Sequence, residues 1–133
     1  MFEHFHPRHI PALIAGTTMA FGGMWPMLDP RGAMRDFGFP ARIANCPEAA
    51  PVMVTGNVRT TVLGFLMLLF YSRRQLDLLD TFMAVTGAYA GLVDCYVVWR
   101  TGNRKHAVFR LVSSGLISAW GFLGWTAGAG TAR

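Results

Sequence analysis

VMVTGNVRTTVLGFLMLLFY, residues 52–71, is a segment of twenty residues that is apolar except between Thr55 and Thr61, where one guanidinium, one amide and three hydroxyls interrupt it. A helix of about 20 apolar residues is long enough to cross the hydrocarbon core of a membrane. A charge inside such a helix is energetically expensive, so it needs a partner and usually has a function. The segment therefore predicts a membrane-spanning helix with a polar site at Arg59.

The composition of the whole chain supports a membrane protein. Of its 133 residues, 53% are hydrophobic and 14% are charged, and the apolar residues form long blocks separated by short polar ones. This composition is typical of membrane proteins. We predict an all-α, multi-pass integral membrane protein, a four-helix bundle formed by a single domain over residues 1–133. Its helices cover about residues 10–27, 52–71, 78–99 and 106–127, with a structured loop at 28–51, and four helices in series put both termini on the same side.

The net charge of +5 comes from cations at the ends of the apolar blocks, among them Arg31, Arg42, Arg73, Arg74, Arg100, Arg104 and Lys105. Cations in these positions anchor helices at lipid headgroups. The chain has no basic stripe interleaved with aromatic residues of the kind that binds nucleic acid. We therefore expect membrane lipids as partners and no nucleic acid.

Asp94 is the acid that best matches Arg59. With a rise of about 1.5 Å per residue, Arg59 lies roughly 12 Å below Pro51, and Asp94 lies about 9 Å below Arg100. The turn between the second and third helices is too short for anything but an antiparallel hairpin, so these depths are measured from the same surface. The sequence predicts that Arg59 and Asp94 form one polar site on adjacent helices.

Small residues mark the faces on which helices approach each other closely. Gly56, Thr60 and Gly64 recur at every fourth position, and Gly87 and Gly91 share a face with Asp94. Such faces favour helix–helix contact within a chain or in a homodimer, so a homodimer remains open.

The segment from Asp29 to Pro40 has two readings. It is a connector with an interfacial anchor, or it is a lid over a cavity whose floor is the Arg59 region. His106 and Arg110 lie one turn apart at the start of the fourth helix, where they either reach the mouth of that cavity or contact headgroups. We expect no cofactor and no metal, because the chain lacks a glycine-rich phosphate loop, a Cys/His ligand spacing and a nucleophile elbow.

An ordered set of motifs resembles a small four-helix membrane family of unknown function that occurs in filamentous fungi and bacteria. The motifs are Trp25-Pro-Met-Leu-Asp-Pro30 with Phe37-Gly-Phe-Pro40, then Gly56-Asn-Val-Arg59, then Gly91-Leu-Val-Asp94, and they cover almost the whole chain. The resemblance implies that Arg59 and Asp94 are the polar centre. Some fungal members resemble membrane epoxide hydrolases of polyketide pathways, which implies an epoxide hydrolase or cyclase acting on a lipophilic small molecule.

Epoxide opening needs a base for the attacking oxygen and a donor for the developing alkoxide. Asp94 is the expected base, and Arg59 is expected to keep it ionised and oriented. The other candidates are Asn57 to position water, Tyr89 or Tyr96 to donate to the epoxide oxygen, and Asp29 as a second carboxylate from the loop.

Two alternatives to catalysis remain open. In the first, Arg59 and Asp94 form a structural bridge between helices of a non-catalytic protein that binds lipid or acts as a scaffold. In the second, the chain is a small transporter or channel subunit, which is disfavoured because no polar stripe crosses the full bilayer.

Overall fold

The computed structural model describes residues 5–128, and every regular element in that range is helical. A 3-10 turn at Pro7–His9 leads into α1 (Ile10–Gly22). Three short helices follow: α2 (Trp25–Leu28), α3 (Pro30–Phe37) and α4 (Ala41–Ala44). The long helices α5 (Ala49–Ser72), α6 (Leu76–Thr101) and α7 (Arg104–Phe122) complete the fold. The predicted all-helical class is confirmed.

The first helix is shorter than the expected range of residues 10–27. Gly22 and Gly23 end α1, and Pro26 lies at the start of the separate helix α2. Proline has no backbone N–H and is disfavoured inside a helix, whereas it is well tolerated in the first turn. The expected loop at residues 28–51 contains α3 and α4.

Glycines allow α1 and α5 to pack closely. A Cβ at Gly64 of α5 would overlap the backbone of Ala20 in α1. A Cβ at Gly16 of α1 would lie 3.2 Å from the Leu68 side chain of α5. Small residues therefore set the separation of this pair, as they do in membrane helix pairs.

The pairing of α6 with α7 is built in the same way. A Cβ at Gly91 of α6 would overlap the Ser114 side chain, and one at Gly121 of α7 would overlap the backbone carbonyl of Asp80. The Ser118 hydroxyl of α7 donates a buried hydrogen bond of 2.8 Å to the carbonyl of Ala84. The Ser118 hydroxyl therefore donates its hydrogen bond to the neighbouring helix and not to a carbonyl of its own helix.

The two pairs meet in one apolar cluster, which contains Ala12, Ala15, Met67, Tyr71, Leu79 and Met83. These residues come from the beginning of α1, the end of α5 and the beginning of α6. The buried residues of α5 are Gly64, Met67 and Tyr71, so its first half lies outside the core. This apolar cluster therefore lies at one end of the molecule. A second group of buried side chains, which includes Met34, Val98 and Ala107, lies toward the other end. None of the residues in the first half of α5 is fully buried.

Two helices, α5 and α6, are long and apolar enough to cross a membrane. Of the most apolar windows of these helices, only 11% and 22% are buried inside the structure. Large apolar side chains instead point outward, including Val62 at 52% and Leu92 at 62% exposure.

Candidate functional site

Asp94 of α6 forms an ion pair with Arg110 of α7. Arg110 Nη1 lies 3.5 Å from Asp94 Oδ2, and the two side chains are 26% and 38% exposed, respectively. Each residue is in the half of its helix that lies next to the short connection between α6 and α7. The pair is therefore a partly buried polar centre on the hairpin of these two helices.

Arg110 also holds the segment that follows α1. Its Nε donates a hydrogen bond of 2.9 Å to the backbone carbonyl of Phe37, and its guanidinium lies over the Phe37 ring, 3.5 Å from the centroid. Planar guanidinium groups favour such combined stacking and hydrogen bonding. One side chain thus connects the end of α3 to the carboxylate of Asp94.

Gly38 allows this close approach. It ends α3 with a φ of 109°, a conformation that glycine adopts without steric cost. A Cβ at Gly38 would lie 2.8 Å from His106 Cβ and 2.9 Å from Val98 Cγ1. The segment therefore docks between α6 and α7 at a point where only a glycine fits.

A cavity of about 420 Å³ lies beside Arg110. It is lined by Asp36, Lys105, His106, Phe109, Arg110 and Ser113. Five of these residues lie on one side of α7 because positions three and four apart share a helix face. Arg110 is the residue that the cavity and the ion pair have in common, and Asp94 is not among the lining residues.

The structure does not form the expected pair of Arg59 with Asp94. Arg59 is exposed, and among residues 5–128 the acid has its ion pair with Arg110. Arg59 is five residues from Gly64, which places it about 140° around α5 from the face that packs on α1. Counting residues gives the position of Arg59 along the axis of α5 but not the direction in which its side chain points around that axis. At the position of Arg59, α5 is not buried against α6.

The other predicted site residues lie apart from the Asp94–Arg110 pair. The Asn57 amide donates to the Met53 carbonyl of its own helix at 3.0 Å. Asp29 caps α3 by accepting the Gly32 N–H at 2.9 Å.

Tyr89 and Tyr96 are 74% and 64% exposed. Tyr96 is two residues from Asp94, about 200° around α6, and so it faces away from the pair. The catalytic roles predicted for Asn57, Asp29, Tyr89 and Tyr96 stay predictions.

A second polar cluster, not predicted from the sequence, lies at the opposite ends of the long helices. His9 Nδ1 lies 3.2 Å from the Tyr71 hydroxyl and accepts the His6 backbone N–H at 3.3 Å. Asp80 is 3% exposed and accepts the backbone N–H groups of Thr126 and Ala127 at 3.2 and 2.8 Å.

Burial lowers the pKa of His9, and the nearby Arg8 and His6 lower this pKa further, whereas Asp80 opposes the shift. This cluster anchors the turn after α7 to the start of α6, and we assign it a structural role. The signal for it was weak, because an aspartate one turn into an apolar helix resembles an ordinary helix start.

The signal for Arg110 was present in the sequence. Counted from Arg104, Arg110 is about 9 Å along α7, the same depth that was obtained for Asp94. The connection between α6 and α7 is also short. Depth along the helix therefore matches Arg110 to Asp94 as well as it matches Arg59. The two arginines differ in the direction in which each side chain points around its helix axis.

The residues of this site offer no evident metal centre. Within the described part of the chain, no three His, Cys, Asp or Glu side chains come together in a group that could hold a metal ion. The groups available near the cavity are cations, one carboxylate, one imidazole and one hydroxyl. They suit acid–base chemistry or the binding of a polar head.

Comparison with known proteins places most of the chain in one family. A family model described as "Domain of unknown function (DUF4267)" matches residues 16–124, a range that contains Asp94, Arg110 and the docked α3 segment. No curated protein and no solved structure was found to be similar. The match names no activity, so the likeness to epoxide hydrolases stays a prediction.

Proposed function

The chain belongs to the DUF4267 family, whose function is unknown, and we propose that it is an integral-membrane enzyme acting on a lipophilic small molecule. In this proposal α5, α6 and α7 cross the membrane, α1 together with α2 forms the remaining pass of a multi-pass bundle, and both termini lie on the same side. The observation that carries the proposal is the Asp94–Arg110 pair beside a cavity, at one end of helices whose outer surfaces are apolar.

The membrane setting is supported by the outward-facing side chains of α5 and α6. Water-soluble monomers rarely expose contiguous apolar surface of this extent. At about 1.5 Å per residue, the 24 residues of α5 extend over about 36 Å, which exceeds the hydrocarbon thickness of about 30 Å. A lipophilic substrate would enter such a protein from the bilayer and place its polar group at the cavity.

We propose the opening of an epoxide as the reaction. In this reaction the substrate extends from the cavity past Arg110 to Asp94, which adjoins the cavity through that arginine. Asp94 takes a proton from water or from a hydroxyl of the substrate, and the oxygen of that nucleophile attacks an epoxide carbon. The carbon–oxygen bond of the ring breaks, and the alkoxide accepts a proton from a donor in the cavity. His106 is the donor best placed for this role, because it lines the cavity one turn before Arg110.

Arg110 is well suited to a supporting role in this reaction. Its cation favours the ionised form of a neighbouring carboxylate. Its contacts with Phe37 restrict its rotation, so the charge is held in place before substrate arrives. A preorganised charge of this kind stabilises developing charge more effectively than a mobile one.

The test is the turnover of lipophilic epoxides by the purified protein in detergent. We expect wild type to form a diol or a cyclic ether and Asp94→Asn to lose at least about 100-fold in rate, the usual range for loss of a general base. Asp77→Asn is the matched control, because Asp77 is an exposed acid at the other end of α6. Thermal unfolding of both variants checks that they are folded.

A second candidate, non-catalytic lipid binding, is favoured by the contacts that Arg110 makes with Phe37. These contacts indicate that the ion pair also fixes the position of α3. The enzymatic proposal fails if wild type opens none of the lipophilic epoxides tested and Asp94→Asn mainly lowers the unfolding temperature. The Asp94–Arg110 pair is then a structural bridge, and lipid binding replaces catalysis as the proposed function.

A further inference from the structure

Arg59 is a cation without a partner in the described chain. It is exposed, and its side chain forms no hydrogen bond or ion pair with any residue in the range 5–128. Arg59 is ten residues after Ala49, about 15 Å along a helix of about 36 Å. In the proposed membrane setting, on which this inference rests, a charge at that depth is costly and almost always has a partner.

The surface around Arg59 is shaped for close contact with another helix. Val52, Thr55, Gly56 and Arg59 recur with helical spacing, and Val52 is 72% exposed. A Cβ at Gly56 would meet nothing within 4 Å, in contrast to Gly64 on the face that packs on α1. We call these four residues the Arg59 face. A glycine beside an unpaired cation allows a partner backbone to come close.

Asp94 is the acid in this chain that fits such a cation. It is 38% exposed although it lies within an apolar helix, and its ion pair with Arg110 is a single contact of 3.5 Å. A carboxylate has capacity for several donors, so this contact leaves room for another. Asp94 lies about 10 Å from the end of α6 at Thr101, at the same end of the molecule from which the depth of Arg59 is counted.

We propose that a second copy of this chain covers the Arg59 face, with Arg59 of each protomer paired to Asp94 of its partner. A two-fold axis along the membrane normal keeps every residue at its depth and repeats each contact twice. The depths of about 15 and 10 Å differ by less than the length of an arginine side chain. Each polar centre then contains Arg110 from its own protomer and Arg59 from the other.

Pairing of the Arg59 face with the same face of another copy is disfavoured. That arrangement would bring the two Arg59 cations together, and like charges at an interface are destabilising. The contact therefore runs from the Arg59 face of one protomer to the Asp94 region of the other. A polar centre in this protein is then incomplete in a monomer.

The sharpest test is an exchange of charges between two differently tagged chains reconstituted in liposomes. Arg59→Asp alone would oppose two acids across each contact, and Asp94→Arg alone would oppose two cations. Mixing the two variants restores both opposite-charge contacts in the heterodimer. We expect each variant alone to be monomeric and the mixture to form heterodimers, measured by crosslinking and by recovery of both tags.

A milder pair of variants protects the test against misfolding of Asp94→Arg. Arg59→Gln should weaken the dimer roughly 100-fold, as removal of one partner of a desolvated charge pair does. Arg73→Gln is the matched control, because Arg73 is an exposed cation just beyond the other end of α5. It should leave the dimer unchanged.

Monomeric wild type at high protein-to-lipid ratio would overturn the proposal, and so would Arg59→Gln dimers as stable as wild type. Alkaline extraction of wild type from membranes shows whether a negative result concerns only the dimer or the membrane setting as well. An alkali-resistant monomer would contradict the dimer only, with lipid covering the Arg59 face. An alkali-extracted protein would contradict the membrane setting itself.

Discussion

Arg110 makes three contacts with one planar group: the Phe37 carbonyl, the Phe37 ring and the Asp94 carboxylate. Lysine offers a single ammonium and cannot reproduce the stacked, directional arrangement. At the scale of this residue, the fold and the candidate site depend on the same atoms. For this reason activity has to be measured together with thermal unfolding when either member of the pair is changed.

The residues of the polar centre were only partly predictable from the sequence. Asp94 was identified by its place in an apolar helix, because an isolated acid there is costly. Its partner Arg110 was not identified. Depth along a helix follows from counting residues, whereas the direction of a side chain around the helix axis follows from packing. Arg59 and Arg110 are close in depth, and the glycine contacts of α1 with α5 turn Arg59 outward.

His9 gives a prediction about pH. Its Nδ1 accepts the His6 N–H, so the neutral ring carries its proton on Nε2, which is buried without a partner in the described structure. Protonation of Nδ1 would remove this acceptor and charge a buried ring. Burial first, and then Arg8 and His6, therefore lower the pKa of His9 from its ordinary value of 6.5.

The sign of the pH effect follows from that shift. Below pH 6.5 the unfolded chain binds this proton more readily than the folded chain, so the free energy of unfolding falls as pH drops from 6.5 through the lower pKa of the folded state. Above pH 6.5 the contribution of His9 is constant. We expect the unfolding temperature in detergent to fall by about 4 °C for each kcal/mol lost.

Two variants assign this pH effect to its source. His9→Gln should be less stable than wild type at neutral pH but should lose this part of the pH dependence. His6→Gln removes only the smallest of the three causes that lower the pKa of His9, so it should retain most of the pH dependence. A pH dependence that is identical in wild type and His9→Gln would show that another group is responsible.

At the scale of the helices, small residues on α1, α5, α6 and α7 determine which faces meet. The sequence predicted these faces from the spacing of glycines, and Gly64, Gly87 and Gly91 do lie against neighbouring helices. It did not predict that Gly56 would be open, because a glycine inside the protein and a glycine on its surface have the same spacing. Only the packing of the helices distinguishes them.

Substitution of two helical glycines by alanine should have opposite effects. Gly64→Ala would overlap the Ala20 backbone and force α1 and α5 apart, at a cost of about 1–3 kcal/mol. Gly115→Ala adds a methyl group where nothing lies within 4 Å, and it should stabilise α7 by up to about 1 kcal/mol. Thermal unfolding in one detergent measures both. Equal effects of the two substitutions would contradict the proposed packing of α1 on α5.

At the scale of the whole molecule, α1 with α5 and α6 with α7 form two pairs that meet in the apolar cluster around Met67 and Met83. The sequence indicated four long apolar segments, and their helical class was confirmed. It did not indicate that the segment at the end of α3 docks between α6 and α7 through Gly38 and Phe37. That docking joins residues far apart in the chain and leaves no local pattern.

The outer surfaces of α5 and α6 are apolar, and contact with lipid would account for this exposure. If water covered them instead, side chains such as Val62, Val85 and Leu92 would be exposed to it. This exposure would cost a free energy of about 25 cal/mol for each Å² of apolar surface. The membrane setting also determines why an unpaired Arg59 is costly and why a lipophilic substrate is expected. Both proposals depend on it.

Contact of α5 and α6 with lipid is tested most directly by electron paramagnetic resonance of single spin labels in liposomes. The labels are attached at Val62→Cys and Leu92→Cys, with Arg100→Cys as the control, in a chain whose Cys46 and Cys95 are replaced by serine. We predict that labels at 62 and 92 are reached by oxygen but not by a polar nickel complex, and that the label at 100 shows the reverse. Labels at 62 and 92 that the nickel complex reaches as readily as position 100 would contradict the membrane setting and the function built on it.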